Sequence, residues 1–290
     1  MTQHFQAPAC PLVVYTDLDG TLLDHDNYSF EAALPSLQRL QRLGVPVVPV
    51  TSKTLAELDM LLTSLAITGP CIAENGGLIA LPPGYFKEQP TLKPVGRFQV
   101  EYLSLEYSAI TGLLESLRHE FGFAFTGFAD MDDGRVAELT GLDLAAAGLA
   151  RRRLCSEPLL WLDTAAAFDE FARRLAQHGC TLVKGGRFFH VLGQTDKAQA
   201  MQRLNHRFSQ AGFSGFTSIA LGDSPNDSLM LEAADVAVVI RRKDGSSLQL
   251  ETHGKTFTTR ASGPAGWHEF FAENLDSLVP ACTGKRTLHG

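Results

Sequence analysis

The residues best suited to chemistry stand directly after a short apolar run. Asp17-Leu18-Asp19-Gly20-Thr21-Leu22 follows Leu12-Val13-Val14-Tyr15-Thr16, a segment of strand composition. Two carboxylates two residues apart at a strand end can share one site and play different parts. Asp17 is the candidate nucleophile toward phosphorus. Asp19 is the candidate acid that protonates a departing oxygen and later takes a proton from water. Gly20 permits a sharp turn away from the strand. The plainer alternative is an acidic turn that ends a strand and does nothing more.

A second motif, Gly222-Asp223-Ser224-Pro225-Asn226-Asp227, follows another apolar run, Ile219-Ala220-Leu221. Mg²⁺ takes hard oxygen ligands and keeps several waters, so one or two carboxylates beyond the first pair suffice. Asp223 is the candidate ligand, with Asn226 and Asp227 holding it and the waters from behind. Alone, this motif is also a common turn and helix cap. Thr51 ends a further apolar run and can offer its hydroxyl to a phosphoryl oxygen, with Ser52 and Thr54 as added donors; alone it is a helix cap. Lys197 is a suitable point charge for a phosphate, although most lysines only solvate a surface.

The elements that must hold these residues read as alternating strands and helices. After Leu12–Thr16, Leu34, Leu37, Leu40 and Leu43 mark one face of a helix that Gly44 closes. Val45–Val50 reads as a strand, with Pro46 and Pro49 awkward for a central position. Thr54-Leu55-Ala56-Glu57 matches a capping box, and leucines at 55, 58, 61, 62 and 65 continue at helical spacing. Cys71–Ala73 is a third short strand. This order predicts an α/β fold, a parallel sheet flanked by helices, with Asp17, Thr51 and Glu74 on the rim where ligands bind.

The pattern changes after Pro82-Pro83-Gly84. It becomes a mixture of a helix around 104–121, an acidic turn at Asp130, Asp132 and Asp133, an alanine-rich helical stretch, a strand over 159–162, a helix over 165–177 and strands near Thr181 and Phe188. The alternating pattern resumes with helix 196–211, strand 217–221, helix 226–233 and strand 236–240. The predicted division is one domain from 1–84 and 193–290, with an α+β domain inserted at 85–192.

A length of 290 residues suits two domains. A net charge of −7 gives no support to nucleic-acid binding, and the short run Arg151–Arg153 reads as a solvated helix end. The five cysteines (10, 71, 155, 180, 282) are odd in number and form no CxxC pair. They are expected to be reduced and mostly buried. Met1 to Cys10 lacks the pattern of a secretory signal, and no apolar run approaches the ~18 residues of a membrane span. A soluble, cytoplasmic protein is expected. Nothing in the sequence fixes an oligomeric state.

Taken together, Asp17-Leu18-Asp19-Gly20-Thr21, Thr51, Lys197 and Gly222–Asp227 resemble, in order and spacing, the motifs of the haloacid dehalogenase superfamily of phosphatases. The insertion resembles the subclass with a large α/β (C2B-type) cap on a Rossmann-like core. A finer resemblance is to the mannosyl-3-phosphoglycerate phosphatases. It rests on Thr51-Ser52-Lys53-Thr54-Leu55-Ala56-Glu57, Ala73-Glu74-Asn75-Gly76-Gly77, Gly186-Arg187-Phe188-Phe189-His190-Val191-Leu192 and Gly263-Pro264-Ala265-Gly266-Trp267. Ser52 stands where other members of the subclass usually have glycine.

The resemblance implies an aspartyl-phosphate on Asp17, acid–base work by Asp19, and Mg²⁺ held by Asp17, the backbone carbonyl of Asp19, and Asp223. Thr51 and Lys197 would bind phosphoryl oxygens. Ala198 departs from the glycine many relatives carry after the lysine, which bears on where the helix starts. The implied substrate is a small phosphorylated sugar bearing a glycerate carboxylate. Lys184, Arg187 and His190 are expected to meet its carboxylate or hydroxyls from the cap's inner sheet, unless they form an ordinary turn and strand. Ser52, Lys53, Glu74 and Asn75 are expected substrate contacts on the core rim, unless Glu74-Asn75-Gly76 simply makes a turn. Three alternatives stay open: a phosphatase of another sugar phosphate such as sucrose phosphate, a broad-range one, or a hexose phosphomutase. A non-catalytic phospho-acceptor is disfavoured by Asp19, which would speed loss of the phosphoryl group.

Overall fold

A computed structural model describes residues 5–8, 10–87, 92–185, 187–251 and 254–279. Cys282, Gly186 and residues 1–4 lie outside the described residues. The chain divides into two compact units, Met1–Pro49 with Gly84–Glu88 and Arg203–Gly290, and Val50–Pro83 with Gln89–Gln202.

The first unit is built on a five-stranded parallel sheet. Its order is Lys255–Ser262, Val236–Arg241, Thr217–Gly222, Leu12–Thr16, Val47–Pro49. Every residue of Leu12–Thr16 is buried, which suits an unbroken apolar strand covered on both faces. Val47–Pro49 is the edge strand, so Pro49 can face its open side, and Pro46 precedes the first paired residue, Val47. The helix Leu34–Arg42 ends before Gly44, whose φ of +70° allows the turn into the edge strand. In the helix Gly263–Leu278, Trp267, Phe270 and Phe271 are buried, and Trp267 Nε1 donates to Thr16 Oγ1 at 3.1 Å. That bond ties the helix to the strand residue just before Asp17.

The second unit holds two antiparallel sheets. One orders Phe125–Gly127, Ser156–Trp161, Phe189–Gly193 and Cys180–Lys184. The helices Tyr107–Phe121 and Ala165–Gln177 pack on it through Ile110, Leu114, Phe171 and Leu175. A smaller core joins Phe128, Met131, Val136, Ala147 and Ala150, from the helices Asp133–Thr140 and Leu144–Ala150 and the turn before them.

The other sheet orders Cys71–Ala73, Leu78–Leu81, Phe98–Tyr102 and Lys93–Val95. This corrects the expectation that Cys71–Ala73 extends the parallel sheet. It makes one isolated parallel bridge, Val50 with Ile72, and otherwise pairs antiparallel with Leu78–Leu81. The cause is the turn between them: Glu74, Asn75 and Gly76 all have positive φ (52°, 57° and 90°), which reverses the chain. Because these strands pair with Phe98–Tyr102, residues 50–83 group with the inserted segment, unlike the division at 84 and 193. The boundary near the other end falls within the helix Lys197–Gln210.

Cys10, Cys71, Cys155 and Cys180 are buried free thiols, and burial pushes Cys71 up to about 12. Among the described residues no helix is long and apolar enough to cross a membrane.

Candidate active site

Parallel pairing brings the two acidic motifs together. Thr16 pairs with Leu221, and the Asp17 N–H donates to the Leu221 carbonyl at 2.9 Å. Asp17 therefore leaves its strand beside Gly222, one residue before Asp223. Carboxylate oxygens of Asp17, Asp223 and Asp227 lie within 4.8 Å of one another, and all three residues are buried. Three acidic groups so close and so dry repel one another unless a cation or protons offset them. Their hard oxygen donors suit a divalent cation such as Mg²⁺.

The surroundings fix this group in place. Asp227 Oδ2 accepts from the N–H groups of Asp223 and Ser224, each at 3.1 Å, so it braces the Asp223 loop while standing close enough to be a ligand itself. Thr21 Oγ1 donates to Asp223 Oδ1 at 3.3 Å. Gly20, at φ +78°, lies so close that a Cβ there would stand 2.9 Å from Asp223 Oδ2, so only glycine fits the turn and the approach. Asp19 is half-buried where Asp17 is buried, so the two carboxylates occupy different environments.

Sequence reasoning missed Arg242. Its Nε donates to the Asp223 carbonyl at 2.9 Å and lies 4.0 Å from Oδ2. With Lys243, His25 and Gly20 it lines a cleft of about 280 Å³ that reaches Asp223. The signal was present: Arg242 follows the strand Val236–Arg241, on the same carboxyl rim as both motifs.

In the second unit, Thr51 is buried and its Oγ1 accepts from the Lys53 N–H at 3.2 Å. Thr54 caps the helix Leu55–Ser64 with the expected reciprocal Glu57 bonds. Lys197 opens its helix and is 1% exposed, which removes the surface-solvating alternative. Ser52 and Lys53 are half-buried, and Asn75 is buried in the positive-φ turn.

Glu74 is fully buried, and its carboxylate accepts from Leu154 N–H (2.8 Å), Cys155 N–H (3.0 Å) and Ser156 Oγ (2.7 Å). Those bonds hold the strained turn, which is the turn alternative that the sequence left open for this segment. Lys184 and Arg187 are exposed and His190 is buried. Lys184 pairs with Phe189, and His190 with Val183, so Lys184 and His190 occupy opposite faces of their sheet and do not converge. The run Arg151–Arg153 is not a plain solvated end either: Arg151 pairs with Asp133, and Arg153 donates to the Ser52 carbonyl at 2.8 Å.

The family profile described as haloacid dehalogenase-like hydrolase matches residues 14–93, the stretch that carries Asp17, Asp19 and Thr51. A glucosyl-3-phosphoglycerate/mannosyl-3-phosphoglycerate phosphatase of Methanococcoides burtonii is 36% identical over 257 residues, 88% of this chain and 94% of its own. Among solved structures, a Thermoplasma acidophilum protein superposes with a TM-score of 0.61 at 17% identity, covering 91% of this chain and 97% of its own. A haloacid dehalogenase-like hydrolase of B. subtilis gives 0.57 at 20% identity, covering 91% and 98%. The two structures speak for the fold; the archaeal relative, similar along nearly its whole length, speaks for the family, and this chain belongs to the haloacid dehalogenase-like hydrolases, among their phosphatases.

Proposed function

We propose that this chain hydrolyses mannosyl-3-phosphoglycerate, or its glucosyl counterpart, to the glycosylglycerate and inorganic phosphate, with Mg²⁺ as cofactor. The buried carboxylates at adjacent parallel strand ends carry the chemical part of this reading. The relative's substrate carries the rest. Asp17 attacks phosphorus through a carboxylate oxygen, and the ester bond breaks as Asp19 gives its proton to the departing alkoxide. Asp19, now ionised, takes a proton from water, whose oxygen attacks the aspartyl-phosphate; phosphate leaves and Asp17 is restored.

Asp17, the Asp19 carbonyl and Asp223 would hold Mg²⁺, with Asn226 and Asp227 supporting them. When bound, the ion offsets the charge of the carboxylates and of the phosphoryl oxygens. The family pattern assigns the phosphoryl oxygens to Thr51 and Lys197, and substrate selection to the segment 85–192. The buried free thiols fit a reducing compartment such as the cytoplasm.

A substrate panel tests the reading. With Mg²⁺ present, kcat/KM should be highest for the two glycosyl-3-phosphoglycerates, above sucrose phosphate and hexose phosphates, with phosphate released at every turnover. A simple hexose phosphate as best substrate, or an isomerised hexose phosphate formed without phosphate release, would contradict it.

A further inference from the structure

A half-exposed arginine lies against the acidic cluster of the first unit, and no step of the proposed reaction uses it. Arg242 follows the strand Val236–Arg241 and opens a tight turn. Its N–H donates to the Ser246 carbonyl at 2.9 Å, and the Gly245 N–H donates to its carbonyl at 3.0 Å. The turn fixes where the side chain starts. Its Nε then donates to the Asp223 carbonyl at 2.9 Å and stands 4.0 Å from Asp223 Oδ2. One guanidinium thus meets the same residue at backbone and at carboxylate.

A bond to a backbone carbonyl needs a donor but no charge. The charge matters to the carboxylates. Oxygens of the buried Asp17, Asp223 and Asp227 lie within 4.8 Å of one another, and so dry a group needs positive charge nearby to stay ionised. A guanidinium does not lose its proton, so this charge is present whether or not a metal is bound. It also repels an incoming cation, because like charges a few ångströms apart oppose each other. The same position therefore steadies the empty site and weakens the filled one.

We infer that Arg242 is a positioning residue that acts as a fixed counter-charge to the acidic cluster. It keeps the Asp223 loop and carboxylate in place in the metal-free protein and lowers the affinity of the site for a divalent cation. The inference rests on the proposed Mg²⁺ and not on the sugar substrate. It predicts that removing a cation from the site improves metal binding, where a mere tether would predict the reverse.

The test measures Mg²⁺ binding by titration calorimetry without substrate, and thermal melts in EDTA and in saturating Mg²⁺. Arg242→Gln removes the charge and keeps an N–H for the Asp223 carbonyl. The side chain is half-exposed beyond its strand, so its loss opens no core. At low salt the Mg²⁺ dissociation constant of Arg242→Gln should fall by about three- to thirtyfold. The gap should narrow toward one near 1 M KCl, where screening acts over about 3 Å. In EDTA the variant should melt below wild type, and Mg²⁺ should raise its Tm by more, since a tighter ligand stabilises more at the same concentration. Arg242→Lys keeps the charge and should bind Mg²⁺ within about twofold of wild type. Unchanged or weaker binding in Arg242→Gln, a gap that salt does not move, or Arg242→Lys binding as tightly as Arg242→Gln would each overturn the assignment. Wild type that binds no divalent cation, with a melting loss in Arg242→Gln that Arg242→Lys restores, would sink the proposed cofactor and uphold the counter-charge.

Discussion

The two units place polar side chains by different geometry. In the first, adjacent parallel strands run in the same direction and end together, so the residues leaving Leu12–Thr16 and Thr217–Gly222 meet without any further device. In the second, strands run antiparallel and side chains alternate, so Lys184 and His190, six residues apart, face opposite ways. Its polar cluster is assembled instead by long-range side-chain bonds: the Glu74 carboxylate accepts from Leu154 N–H, Cys155 N–H and Ser156 Oγ, and Arg153 donates to the Ser52 carbonyl. A parallel rim gathers chemistry by topology. An antiparallel unit must tie each contributor in separately.

The largest expected effect strikes the rim. Asp17→Asn should abolish Mg²⁺-dependent phosphate release, a loss of several powers of ten, because an amide cannot form the acyl phosphate. Substantial release by the folded variant would remove the first unit from the comparison altogether. Asp19→Asn sharpens it: the loss should be about 10²–10⁴ on a sugar ester, whose leaving group needs a proton, and smaller on p-nitrophenyl phosphate. Equal losses on both would take Asp19 out of the acid role. Asp223→Ala should raise the Mg²⁺ concentration for half-maximal activity at least about tenfold, and Ca²⁺, with longer bonds and more ligands, should inhibit. Full activity in a chelator would refute the metal.

The smallest effect concerns the second unit. Burial raises the Glu157 carboxyl from 4.5 to about 7, so the folded state holds this proton more tightly than the unfolded one. Its stabilising contribution is complete below pH 4.5 and lost as pH rises through about 7. Glu157→Gln should therefore stabilise the protein at pH 8 relative to wild type, by about 1–3 kcal/mol, and change little at pH 4. A thermal melt at each pH reads the difference; an equal shift at both would mean that packing, and not the proton, decides.

The same contrast explains what was legible in the sequence. Asp17-Leu18-Asp19-Gly20-Thr21 and Gly222–Asp227 are local motifs at the ends of apolar runs, and parallel pairing converts local spacing into a site. Thr54–Glu57 was legible for the same reason, since a capping box lies within one helical turn. The burial of Glu74 was not legible, because its partners stand about eighty residues away, and because a turn with two non-glycine positive φ values runs against local preference. Arg153 was hidden in a run of three arginines whose burial only the folded unit defines. Ser156 and Glu157 carried the observed strand three residues further back than expected, since buried polar residues blur an apolar run.

The central claim is that Asp17 carries the phosphoryl group between substrate and water. Asp19→Asn offers the most direct view, because it should still accept phosphate from an activated aryl ester while losing the base that helps water attack. Acid-quenched after brief exposure to p-nitrophenyl phosphate and Mg²⁺, then digested and sequenced by mass spectrometry, this variant should carry one phosphoryl group, on Asp17. Turnover with no phosphorylated peptide at any quench time, or a phosphoryl group on another residue, would contradict the account.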